Sequence, residues 1–263
     1  MLSFLVKILD LKRATRSTRL IAAVVVCGAI GAEAASVNLG TAANFGVLGG
    51  STVTSTGATV ITGDLGVSPG SAITGFPPGL VNGAIHAGDA VSSQAQADAM
   101  AAYTVLVGLA FTQDLTGQDL GGKTLTQGVY NFDTSAQLTG TLILDGQGLI
   151  DPGFVIQIGS TFTTAALSSI SLINGATYDN VFFQVGSSAT LGAGTAFSGN
   201  LIAFTSDTLN TGATVNGRVI ALGGAVSLDG NTIISVPEPA SAALLVSGLT
   251  LLLAARRRVK AAA

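Results

Sequence analysis

The feature that most narrows what this chain can fold into is a self-alignment of its C-terminal half at a step of 18 residues. Phe197, Val215 and Ile233 stand 18 apart, as do Gly194, Gly212 and Gly230, and Ala196, Thr214 and Thr232. Leu201 and Val219 keep the step, and so do Gly199 and Gly217. The pentapeptide Thr-Gly-Ala-Thr-Val occurs at Thr56–Val60 and again at Thr211–Val215, with a near copy at Asn174–Tyr178. A longer displacement of 27 relates Phe154–Ser160 to Val181–Ser187. Short β-branched runs divided by Gly, Asn and Asp, repeated at such periods, stack as coils of a β-solenoid. Each coil carries short strands, with turns where the small residues cluster. Strand alternation turns Phe197, Val215 and Ile233 inward as one column and Ala196, Thr214 and Thr232 outward. The two different steps predict coils of unequal length.

One segment departs from this pattern. Asp89 to Leu109 is rich in Ala and Gln, which favour helix, and lacks Gly before Gly108. Val91, Ala95, Ala99, Ala102 and Leu106 fall on one helical face,. This predicts a single helix over about 89–109, packed by its small apolar stripe along a solenoid wall.

Both ends read as processing segments. Lys12, Arg13, Arg16 and Arg19 precede the apolar run Leu20–Ile30, and Ala32-Glu33-Ala34 is an A-x-A site. Residues 1–34 therefore read as a secretory signal peptide, with an uncleaved membrane anchor as the other reading. At the C-terminus, Val236-Pro237-Glu238-Pro239 precedes an apolar run, Ala240–Ala255, and then Arg256, Arg257, Arg258 and Lys260. The run is a candidate membrane span with a cytoplasmic basic tail. The order of Pro-Glu-Pro, span and Arg cluster in 236–263 resembles the PEP-CTERM sorting signal, which implies export and a sorting protease acting on the tail; an ordinary C-terminal anchor is the alternative. Either way the body, 35–235, lies outside the cytoplasm, and membrane contact is expected only through the C-terminal segment.

Within that body only Lys123 and Arg218 are basic, against eleven Asp and no Glu, a formal charge of −9 compared with −3 for the whole chain. Such a surface repels nucleic acid and anionic lipid. Asp without Glu points to turns, where the short side chain caps backbone N–H groups. Cys27 is the one cysteine and falls in the leader, so the body has no disulfide or thiol chemistry. His86 is the single histidine and reads as a loop or cap residue; alone it makes no metal site. Solenoid enzymes that cleave acidic polysaccharides need clustered acids and bases to meet sugar carboxylates. Here the acids are dispersed, so neither an enzyme nor a cofactor is expected.

Several separated segments carry a family resemblance. They are Leu39–Thr54, Gly63–Gly70, Gly75–Gly79, Ala95–Asp98, Leu138–Leu142 and Leu209–Arg218. In this order they are similar to the microbial ice-binding-protein family, over about 37–234. The resemblance implies an irregular, right-handed, three-faced parallel β-helix with one long α-helix alongside, and a first coil onto which the last coil stacks. It implies ice as the partner, held by a Thr-(Ala or Gly)-x-(Thr or Asn) motif on a flat face. Thr56–Thr59 and Thr211–Thr214 match that motif, Asn174–Thr177 and Asp229–Thr232 match in part, and Ala193–Ala196 fails at both ends. The candidate ice-contact residues are therefore Thr56, Thr59, Thr177, Thr211, Thr214 and Thr232. A β-branched Thr holds χ1 stiff and offers both a methyl and a hydroxyl to ordered water. Threonine also occurs on half-exposed strands merely because it fits the pleat. The competing reading is therefore a non-enzymatic structural or adhesive protein of the envelope or exopolysaccharide matrix.

Overall fold

The computed structural model describes residues 37–235. The chain first makes two coils: β1 (Phe45–Gly49), β2 (Thr52–Thr56) and β3 (Val60–Thr62), then β4 (Asp64–Val67), β5 (Ala72–Thr74) and β6 (Leu80–Asn82). Strand β7 (Ile85–Ala87) leads into α1 (Ala90–Gly108), followed by β8 (Gln113–Asp114) and β9 (Thr124–Thr126). The next coil holds β10 (Gly128–Phe132), β11 (Ala136–Leu138) and β12 (Thr141–Asp145), and its successor β13 (Phe154–Ile158), β14 (Phe162–Thr164) and β15 (Ser169–Ile173). Then come β16 (Val181–Val185), β17 (Ala189–Leu191), β18 (Ala196–Ala203), β19 (Asp207–Leu209), β20 (Thr214–Ala221), β21 (Val226–Asp229) and β22 (Thr232–Ile234).

All these strands pair in parallel, in three ladders. One runs β8, β10, β13, β16, the second half of β18 and of β20, β1, β4 and β7. The second runs β9, β12, β15, the first half of β18 and of β20, β22, β3 and β6. The third is a separate seven-stranded sheet in the order β11, β14, β17, β19, β21, β2, β5. The long strands β18 and β20 pass from the second ladder to the first at Gly199 and Gly217, whose φ of 141° and 133° only glycine adopts without strain,. A Cβ on Gly217 would also run into the Gly199 carbonyl.

The order of stacking is not the order of sequence. β1, β2 and β3 sit on β20, β21 and β22, so the N-terminal coil rests on the last C-terminal one. The helix carries the chain between the two ends of the stack. Phe197, Val215 and Ile233 pair in succession and are at most 1% exposed, while Ala196, Thr214 and Thr232 are exposed. The inward column and its outward neighbours thus stand where alternation puts them.

The helix explains why the first ladder is apolar on both sides, as parallel strands covered on two faces must be. Leu48, Val129, Val155, Phe182, Ile202 and Ile220 point out of that ladder into a second apolar cluster with Ala95, Ala99, Ala102, Tyr103 and Leu106. Gln157 Nε2 donates to the Leu106 and Leu109 carbonyls at 2.7 and 2.9 Å, and Gln184 Nε2 donates to the Tyr103 hydroxyl at 2.8 Å. At the N-terminus, Asp89 accepts the Ser92 N–H at 2.8 Å, a side-chain cap. That bond, and then the His86 ring, hold the Asp89 carboxyl down at about 2. His86 is thus a strand residue that braces the cap, at 2.7 Å from Asp89. Val91 does not join the buried stripe; it is 46% exposed and Ser92 takes its place, because the stripe through Ala95 and Ala99 continues three residues back to 92.

Asp207 is an exception to the placing of the acids in turns. It lies inside the third ladder, stacked between Ala189 and Val226 and 1% exposed. Among the described residues neither carboxyl oxygen has a hydrogen-bond partner, and burial pushes its pKa well above the usual carboxylate range. The signal peptide expected over 1–34 and the sorting tail expected over 236–263, with its candidate span at 240–255, lie outside the described residues. Among the described residues no helix is long and apolar enough to cross a membrane.

Candidate functional site

The strands of the third ladder are short, and in six of the seven, Ala136-Gln137-Leu138 of β11 among them, a single polar residue points outward between two inward ones. Phe162-Thr163-Thr164, Ala189-Thr190-Leu191, Asp207-Thr208-Leu209 and Val226-Ser227-Leu228 share this pattern, and Val53-Thr54-Ser55 repeats it in β2. The inward members are buried; the outward ones are exposed or half-buried. Pairing aligns Thr163 with Thr190, Thr190 with Thr208, Thr208 with Ser227, Ser227 with Thr54, and Thr54 with Thr74. The result is a column of six hydroxyl side chains on six successive strands. Gln137 extends it at the β11 end.

No break in register interrupts these pairings, so the rung spacing is the interstrand distance of about 4.8 Å and the six hydroxyls span roughly 24 Å. No residue of the column is ionisable. Two residues before the column, the position is also small and polar in most coils: Thr161, Ser188 and Ser206, and Thr52 in β2. Of the other two ladders, the first lies under α1. The second is uncovered among the described residues, but its outward residues are mixed: Thr141, Ser169, Ala196, Thr214, Thr232, Val60 and Leu80 follow one another along the stack.

The six threonines expected from the motif do not share one surface. Thr214 and Thr232 are exposed neighbours on the second ladder. Thr56, at the end of β2, and Thr211, in the turn after β19, lie at the border between the second and third ladders. Their hydroxyls donate to opposite oxygens of Asp229, Thr56 to Oδ1 at 2.9 Å and Thr211 to Oδ2. The Thr211 bond, and then the Thr56 bond, lower the Asp229 pKa. Thr177 is exposed in a turn before β16, away from the others.

Thr59 is inside. It is 0% exposed, accepts the Ser55 hydroxyl at 2.7 Å and accepts the Asn231 N–H at 3.2 Å. Thr56 pairs with Asp229 and Val60 with Thr232, so three residues in one coil match two in the next. Ser55 shares the slot of Leu209 and Val60 that of Thr214, so the identical pentapeptides, which begin one residue after Ser55 and two after Leu209, stand one position out of phase. Val60, not Thr59, lies beside Thr232, and Thr59 falls on the core side with Asn231 and Ala213. The fully buried Thr59 cannot meet an external surface.

The Thr163–Thr74 column escaped the motif reading because its members share only an outward slot. The available signal was the recurring small-or-apolar, Thr or Ser, Leu triplet at 189–191, 207–209 and 226–228, spaced by 18 and 19. Among the described residues no three His, Cys, Asp or Glu side chains gather as a metal site. A shallow cleft at the β11 end holds Gln118, Asp119, Ser135 and Gln137. Its carboxylate accepts the Gly121 and Thr139 N–H groups, a turn-forming role and not that of an acid–base pair.

Comparison with known proteins places the chain in a family. A family model described as Ice-binding-like matches residues 47–234. An ice-binding protein of Nostoc sp. (strain HG1) is 56% identical over 241 residues, covering 86% of this chain and 89% of that protein. An ice-binding protein of Leucosporidium sp. (strain AY30) is 34% identical, covering 71% and 78%. Among solved structures, the ice-binding protein of the Antarctic ascomycete Antarctomyces psychrotrophicus superposes with a TM-score of 0.75 at 45% identity, over 77% of this chain and all of that one. The ice-binding protein of an Arctic yeast, solved to explain its antifreeze activity, superposes at 0.72 with 34% identity, covering 78% of this chain and 96% of that one.

Proposed function

Since the chain belongs to the ice-binding-like family, we propose that it is an ice-binding protein that adsorbs to ice through the third ladder. On this reading the three ladders are the sides of a right-handed, three-faced coil. The observation that carries the assignment is the unbroken hydroxyl column Thr163, Thr190, Thr208, Ser227, Thr54 and Thr74. Ice presents water at fixed spacings, and a surface that holds it must be rigid and periodic in two directions. Stacked strands supply about 4.8 Å between rungs and about 6.7 Å between alternate residues along a strand. Threonine adds a methyl over which water orders and a hydroxyl that anchors it, with little rotamer entropy to lose. Adsorption then pins the growing crystal front or limits recrystallisation. No proton transfer or bond cleavage enters.

Thr56 and Thr211 border this surface, while Thr214 and Thr232 belong to the neighbouring ladder, where Ala196 flanks them on one side and Val60 and Leu80 on the other. The proposal is tested by recrystallisation inhibition with two bulky substitutions. Thr190→Tyr is expected to weaken activity at least about tenfold, a loss of ~1.4 kcal/mol in adsorption, and Thr214→Tyr to weaken it much less. The reverse ranking would move the contact surface to the second ladder.

Outside the described residues, the 1–34 leader supports export, and the 236–263 tail supports sorting by a protease with transient or permanent inner-membrane anchoring. Exopolysaccharide is the surrounding such a tail implies. Mass spectrometry of the mature protein, reading ends near Ala35 and Ser235, tests both cuts.

A further inference from the structure

We propose that Asp229 is a positioning residue of the ice-contact surface, whose charge the hydroxyls of Thr56 and Thr211 screen from the water layer above. This rests on the reading of the third ladder as the contact surface.

Between β14 and β2, the outward position that follows the hydroxyl column along each strand is occupied by Ala165, Gly192, Asn210, Asp229 and Thr56 in turn. Asp229 is the sole ionisable side chain among them. A bare carboxylate binds water in its own geometry and disturbs the lattice that the column templates. Here each of its oxygens receives one threonine hydroxyl, Oδ1 from Thr56 at 2.9 Å and Oδ2 from Thr211. The two donors come from opposite sides along the stack. Thr211 belongs to the coil before Asp229, and Thr56 to the N-terminal coil that stacks after it. The clamp therefore lies across the join between the two ends of the chain.

The backbone fixes Asp229 as well. Its N–H donates to Asn231 Oδ1 at 2.6 Å, while Asn231 Nδ2 donates to the Asn210 and Ala213 carbonyls at 2.9 and 3.2 Å. The carboxylate is thereby held at the border of the column, and the threonines are held against it. This gives Thr56 and Thr211 a reason to be threonine that differs from that of Thr190: their hydroxyl protons are turned to a charge and not to ice.

Charge screening predicts a dependence that a merely structural role does not. Thr56→Val keeps the β-branched shape and removes the donor. Recrystallisation inhibition and ice shaping would be read for the protein, for Thr56→Val, for Asp229→Asn and for the double variant, with melting temperature followed for each. Thr56→Val is expected to weaken activity about fivefold when Asp229 is present, and by no more than about twofold on the Asp229→Asn background, because no charge then remains to be screened. Melting temperatures should show no matching rescue. Equal losses on both backgrounds, or a Thr56→Val protein as active as the parent, would overturn the proposal. A parent protein inactive toward ice would instead defeat the reading of the surface on which it rests.

Discussion

Asp207 offers the sharpest test of how this core is held together. It occupies an inward slot of the third ladder between Ala189 and Val226, is 1% exposed, and neither of its oxygens meets a donor among the described residues. A buried polar group left without a partner costs about 1–3 kcal/mol. Replacing it by the valine that its stacked neighbour Val226 uses removes that cost and adds part of the burial energy of an apolar side chain, about 1.5 kcal/mol. A gain of about 3 kcal/mol corresponds to a rise of roughly 6–12 °C in melting temperature for a domain of this size. The effect also has a pH signature. The folded-state pKa of Asp207 is raised by burial, so the folded protein holds this proton more tightly than the unfolded chain. Its stability is then fully retained below the unfolded carboxylate pKa and falls as pH rises from there through the folded value. The Asp207→Val advantage should therefore widen with pH across that window and then level off. Asp207→Asn should remove the pH dependence while keeping most of the unpartnered polar cost. Differential scanning calorimetry of the three proteins between pH 4 and 8 measures this, the lower limit being about the unfolded carboxylate pKa. A valine variant no more stable than the parent at pH 7, or a gap constant across the range, would show that the carboxylate is solvated or paired in the core.

Other substitutions test the remaining joints. Arg218 is 4% exposed and donates to the Ala43 and Ser235 carbonyls, to Asn200 and to Asp179. Arg218→Met strands those acceptors and should lower stability by about 3 kcal/mol in urea titration; a loss below about 1 kcal/mol would mean that the acceptors are satisfied without it. Gln157→Leu removes the donor that closes the end of α1. Faster hydrogen exchange in the last helical turn and a loss of about 1–2 kcal/mol are expected, and unchanged exchange there would refute the cap. Gly217→Ala places a Cβ against the Gly199 carbonyl at a φ of 133°; a cost above about 2 kcal/mol is expected, and a neutral result would show that the crossover between ladders can relax.

Much of the architecture was legible in the residues because it depends on local chemistry. The 18-residue step, strand alternation and the glycine positions were enough to place Phe197, Val215 and Ile233 on one internal column. The Ala-rich period marked the helix to within a residue at each end, 90–108 against the expected 89–109. The capping and packing of that helix decided the rest: Asp89 takes the cap, and the stripe begins at Ser92 in place of Val91.

What the sequence by itself determined is that this chain stacks short strands, covers one wall with a helix and carries threonine in quantity. Which threonines share a surface was decided only by the tertiary pairing. Coils separated by 27, 18 and 19 residues, and one join between sequence-distant ends, set a phase that a linear motif does not contain. Ser55 and Leu209 hold the same slot on either side of Leu228, and Val60 and Thr214 on either side of Thr232, so the two turns are equally long; the pentapeptide begins one residue sooner after Ser55 than its identical copy does after Leu209, which sends Thr59 inward and leaves Val60 beside Thr232. Side chains on a strand alternate with a period of two, so a shift of a single residue exchanges inside for outside, and only the hydrogen-bonded register between coils settles which way each one faces.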